Sequence, residues 1–298
     1  MKPTSSRFLI AVLLLTPGPL TWQQSRDASA SQVTLTRRYT EGDRLEYRMT
    51  GVNEGVKYSA EAEGVVKKDA AGNFVEEYAW SNFIVNGASR TLDPKMANFR
   101  QVVSLSSDKP SAMSNLMQVD PSFIGPITDF YTFYVDLWLA THGPQFTHAG
   151  DHFYHKFGTP ASWADGKYVT LGESSIDFEM TLAKIDLTTK IATLVVKHVP
   201  PEHPQVHLPA PWMQAPVADT PNNWVLVQPV NGKFVASVGK EIFEVRIATS
   251  LDDGKILSAT MENPVETIER DCKDAALTDC GEPRHHRIER HVEITLKR

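Results

Sequence analysis

Cysteine is scarce in this sequence, with only Cys272 and Cys280 in 298 residues. Their spacing in DCKDAALTDC fits neither a C-x-x-C redox motif nor a paired zinc ribbon, and no further cysteine completes a thiolate site. Long apolar runs are missing too. The run Phe8 to Leu15 is too short to span a bilayer, so no integral membrane span is expected. No cluster of lysine and arginine offsets the formal charge of −6, which argues against nucleic acid or an anionic membrane as partner.

Catalytic signatures are equally thin. There is no G-x-G-x-x-G, and no Gly-Lys pair has the glycine five residues earlier that a phosphate loop needs. Gly172-Glu173-Ser174-Ser175-Ile176 lacks the closing glycine of a nucleophile elbow. Glu202-His203 resembles the end of H-x-x-E-H, but Val199 stands where the first histidine belongs, and Pro200 and Pro201 forbid the helix. The carboxylate pairs Glu76-Glu77 and Asp252-Asp253 read as strand and turn residues. No catalytic residue, metal ligand or cofactor is assigned, and no enzymatic activity is expected.

What is present begins with a leader pattern. Lys2 and Arg7 precede the apolar run, and Ala28-Ser29-Ala30 offers small residues for cleavage, as in a secretory signal over residues 1 to 30. That segment carries Lys2, Arg7 and Arg26 against Asp27, so its removal takes the formal charge from −6 to −8. The expected product is periplasmic or extracellular. In such an oxidising compartment Cys272 and Cys280 are expected to pair across a hairpin loop.

Most of residues 31 to 298 alternates with period two, the mark of strands with one buried face. Leu45, Tyr47 and Met49 alternate with charged residues. Tyr58, Ala60 and Ala62 repeat the pattern, as do Ile176, Phe178, Met180 and Leu182. The last run sets Ile288, Val292, Ile294 and Leu296 against Glu289, His291, Glu293 and Thr295. Asn86-Gly87, Asn231-Gly232 and Asp252-Asp253-Gly254 mark turns. The expected fold is mainly β: a large antiparallel curved sheet or half-barrel, either one domain or two lobes meeting near residues 107 to 150.

One segment breaks the alternation. In PSFIGPITDFYTFYVDLWLATHG, Pro126 fits a first helical position and Gly143 a stop, giving one prominent amphipathic helix over about 126 to 141. Thr128, Asp129, Thr132, Asp136 and Ala140 share one side; aromatic and aliphatic residues cover the rest. A long sheet with one helix in its hollow is similar in layout to the periplasmic lipoprotein carriers, a likeness of architecture that transfers no function.

The expected function is non-catalytic binding of an apolar or amphipathic ligand in the cell envelope. Phe130, Tyr131, Tyr134, Leu137 and Trp138 are the candidate ligand-binding residues, and a lipid or other apolar small molecule is the partner. The alternative is a structural or interaction module that meets another envelope protein. The histidines of HVPPEHPQVHLPAPW, His198, His203 and His207, are expected on an exposed, extended crossover. His148, His152 and His155 are expected at the surface.

Overall fold

The computed structural model describes residues 33, 35–53, 55–111, 114, 116, 119–143, 146–157, 169–170, 176–199 and 208–297. The leader and most of the proline-rich crossover lie outside them. The described residues of the compact unit Gln32–Arg298 form fourteen strands. They are β1 (Arg44–Asn53), β2 (Val56–Lys68), β3 (Phe74–Val85), β4 (Ala88–Ser89), β5 (Gln101–Val103), β6 (His152–Phe157), β7 (Val169–Thr170), β8 (Ile176–Asp186), β9 (Ile191–Val199), β10 (Trp224–Val230), β11 (Lys233–Glu241), β12 (Phe243–Ser250), β13 (Ile256–Cys272) and β14 (Arg284–Leu296). Between β5 and β6 lies α1 (Pro121–His142), the one α-helix among the described residues.

All fourteen described strands belong to one open antiparallel sheet; ten run in the order β4-β3-β2-β1-β14-β13-β12-β9-β8-β6, while β5 joins β3 and β11, β10 and β7 branch in turn from β13. Because β14 pairs with β1, the first and last thirds of the chain share one ladder. The Asn86-Gly87 and Asn231-Gly232 turns adopt positive φ at both residues, the twist a two-residue hairpin needs.

Strands β11 and β12 form one long run along β13, broken only at Ile242. The break has a local cause. Pro264, which has no N–H to donate, stands opposite Ile242. The buried side chain of Asn263 supplies the donor instead, its Nδ2 lying 2.8 Å from the Ile242 carbonyl.

A bulge in β3 sets which residues face inward. Ser59 pairs with Ile84 but Glu61 with Ser81, and the extra residue is taken up at Asn82, whose φ is 51°. The inward set therefore runs Tyr78, Trp80, Phe83 in place of strict alternation.

The sheet curls around α1. Trp80 of β3 packs edge-on against Phe130 at 5.4 Å, while His198 of β9 lies 2.7 Å from Asp136, less than two turns further along the helix. Those strands are six places apart, about 29 Å across a flat sheet at strand spacing near 4.8 Å. A helix about 10–12 Å wide reaches both only if the sheet bends round it.

The helix starts earlier than Pro126. Asp120 caps it, accepting from Ser122 N at 2.9 Å, and Pro121 takes the first-turn position. Pro126 sits one turn in, where its missing N–H leaves only the carbonyl of the exposed Ser122 without an intrahelical donor.

A second, smaller core lies at the end of β13. Val225, Ala236, Val238 and Cys272 pack there with Ala210, Met213 and Leu277. Cys272 and Cys280 stand at bonding distance, S–S 2.00 Å, and close the loop before β14 as their spacing predicts.

Candidate binding site

The inner flank of α1 is filled by aromatic side chains. Phe130 meets Tyr47, Tyr78 and Trp80 edge-on at 5.5, 4.9 and 5.4 Å. Beside it the buried Glu76 carboxylate accepts from Arg37 Nε at 2.9 Å, Tyr78 at 2.7 Å and Tyr134 at 2.5 Å. Burial among these groups holds the Tyr78 and Tyr134 hydroxyls well above the usual tyrosine range. This side of the hollow is packed solid.

The adjoining flank is open by comparison. Tyr131, Val135 and Trp138 are partly buried beneath the segment from Ser104 to Ser111. That strap is tied to the helix by polar contacts to its backbone: Tyr131 donates to the Ser111 carbonyl, and Trp138 Nε1 to the Ser107 carbonyl at 2.8 Å. Its base is fixed to β3 through Ser104 and Ser106, whose hydroxyls donate to the Phe74 carbonyl at 2.6 and 2.8 Å. Between strap and helix lies a shallow recess lined by Ser104, Pro110, Ser111, Tyr131, Tyr134, Val135 and Trp138, with no enclosed space for a water molecule.

The third flank of α1 carries its polar residues, and they too are buried. Asp129 Oδ1 accepts from Arg290 Nη2 of β14 at 2.5 Å, and Oδ2 accepts from Tyr58 of β2 at 3.3 Å. Arg290 Nη1 also donates to Asn263 Oδ1 at 2.7 Å. Two helical turns on, Asp136 accepts from His198 Nε2 of β9 at 2.7 Å. The imidazole is walled by Phe178 at 4.6 Å and Phe243 at 5.1 Å, and its Nδ1 has no hydrogen-bond partner among the described residues. Burial raises the pKa of Asp129 against the pull of Arg290, and that of Asp136 against the pull of His198. Glu241 at the end of β11 faces the same charges and is also raised by burial.

The five aromatic and aliphatic residues singled out from the helix pattern are therefore divided between core and recess. Phe130 and Leu137 are fully enclosed in the main core, Tyr131 and Trp138 border the recess, and Tyr134 belongs to both, buried against Glu76 on one side and lining the recess on the other. His198 is a correction: expected at the surface, it is 2% exposed and paired with Asp136. The reason is its register, since Ala192, Leu194, Val196 and His198 all point inward along β9. His203 and His207 lie outside the described residues. His148, His152 and His155 are exposed. Among the described residues no group of His, Cys, Asp and Glu converges to hold a metal ion, and no helix is long and apolar enough to cross a membrane.

The molecule is thus an open antiparallel half-barrel plugged by one helix. No family model matches the chain, and no curated protein matches its sequence. Among solved structures it is similar to one titled "Lipid-protein interactions in lipovitellin", with a TM-score of 0.45 and 10% identity over 88% of this chain. The match covers 26% of that structure's chain, and a likeness at this level carries no argument about function.

Proposed function

We propose that this chain is an exported, non-catalytic binding protein that takes an apolar or amphipathic ligand, such as a lipid, against the strap-covered face of α1. The observation that carries the reading is the mismatch between that face and its cover. Tyr131, Val135 and Trp138 present an apolar stripe, yet beyond Leu105, which is buried in the main core at the base of the strap, the segment from Ser106 to Ser111 brings only Pro110 as an apolar group. Lifting it uncovers the stripe while giving up little apolar contact of its own, and a ligand regains that burial at about 25 cal/mol per Å².

The recess has no enclosed space even for a water molecule, far from the roughly 300 Å³ at which ligand pockets begin, so binding requires the strap to move. Tyr131, Tyr134 and Trp138 make first contact, with Phe130 and Leu137 as the wall behind them. The leader pattern supports export, and the Cys272–Cys280 pair suits an oxidising compartment.

The test is native mass spectrometry of the untagged, exported protein, with organic extraction of any adduct. A stoichiometric apolar adduct that disappears in a Tyr131→Ala, Trp138→Ala variant of unchanged urea midpoint supports the site. Equal loss of adduct and fold removes it. The absence of any enclosed space in the recess favours one second reading, an envelope interaction module; a bare mass together with a specific protein partner would establish that instead.

A further inference from the structure

The polar flank of α1 does not balance its charges. Three carboxylates meet there: Asp129 and Asp136 from the helix and Glu241 from β11. Facing them are Arg290 from β14 and His198 from β9, with the neutral Tyr58 of β2 and Asn263 of β13. Phe178 of β8 and Phe243 of β12 close the walls around the imidazole. Three carboxylates thus meet only two side chains able to carry positive charge, so at least one negative charge has no cation to balance it. Surplus charge in a buried seam is costly because little water screens it.

We propose that this seam is a proton-dependent clamp on α1, holding the helix in the hollow most tightly when it carries an extra proton and loosening as pH rises. Asp129–Arg290 and Asp136–His198 stand two turns apart on one helix face, so repulsion within the seam acts along the middle of α1. Glu241 is where the extra proton is placed. Its carboxylate is buried like the other two, yet among the described residues it has no direct cationic hydrogen-bond partner. The raised pKa values of all three carboxylates run in the same direction. The clamp stands independently of any ligand.

Hydrogen exchange of the full exported protein tests it, followed from pH 5.5 to pH 8.5 and corrected for the intrinsic rate. Protection of residues 126 to 142 should fall as pH rises, by up to about tenfold per pH unit where one proton leaves on opening. The β1–β2 hairpin should keep its protection. Glu241→Gln removes the surplus charge without touching either pair, and should raise α1 protection at pH 8.5 while flattening its pH dependence. Wild-type protection in α1 that does not change with pH would overturn the clamp. So would a Glu241→Gln variant that keeps the wild-type slope.

Discussion

Asp136 accepts a hydrogen bond from His198 Nε2 on both carboxylate oxygens, at 2.7 and 2.9 Å, and so ties the middle of α1 to the end of β9. Both side chains are buried, 0% and 2% exposed. Removing one partner of such a pair leaves the other uncompensated, which costs about 3–5 kcal/mol, whereas replacing both with apolar groups is often near neutral. Asp136→Ala should therefore lower the urea midpoint sharply, and Asp136→Leu with His198→Leu should recover much of the loss. If the double variant is as unstable as the two single losses added, the pair is not what makes Asp136 costly to remove.

The sheet was legible because inward residues repeat every second position away from the bulges, and the turns carried Asn-Gly pairs where φ must be positive. The candidate site was only partly legible. Tyr131 and Trp138 reach the recess, but a helical pattern does not say which apolar face meets the sheet and which meets a strap. The buried charges left a fainter signal, since each is a polar residue in an apolar phase: Glu76 in step with Tyr78 and Trp80, His198 with Leu194 and Val196, Arg290 with Val292 and Ile294. Which of them pair depends on strand order, and local periodicity carries no information about that. The pairing of β14 with β1 brings residues from opposite ends of the chain together.

Stability should peak on the acid side of neutrality. Burial raises the folded pKa of Asp129, Asp136 and Glu241. A raised carboxylate contributes fully below its unfolded value, near about 4, and loses that contribution as pH rises through the folded value. Asp120 and Asp271 run the other way, lowered by hydrogen bonds from Ser122 and Arg284. Their contribution is present above the unfolded value and fades as pH falls through the folded one. Urea midpoints measured from pH 3 to pH 8 should rise and then fall, and a steady climb from pH 5 to pH 8 would contradict this assignment.

Gly64 is required by a tyrosine on the next strand. It pairs directly with Tyr78, whose ring lies across it, and a Cβ added at Gly64 would sit 2.2 Å from Tyr78 Cε1. Tyr78 cannot swing away without breaking its contact with Glu76 and its packing on Phe130. Gly64→Ala should cost about 1–3 kcal/mol by overpacking, read as a lower unfolding midpoint. A Gly64→Ala protein of wild-type stability would mean that the ring has room to move. Gly72, at a φ of 86° and with nothing near its missing Cβ, is the control whose cost is backbone strain alone.

The Cys272–Cys280 pair should stabilise a region rather than the whole sheet. It closes the loop that carries Leu277, whose carbonyl accepts from Trp212 Nε1 at 3.1 Å, and Arg270 stacks over that indole at 5.1 Å. These contacts belong to the small core over β10, β11 and the end of β13, away from α1. A crosslink over so short a loop is worth about 2.5 kcal/mol by the chain-entropy model. In a Cys272→Ser, Cys280→Ser variant, hydrogen exchange should accelerate over residues 208 to 217 and 266 to 284, while the β1–β2 hairpin keeps its protection. Uniform loss across both regions would show that the small core and the main sheet open as one cooperative unit.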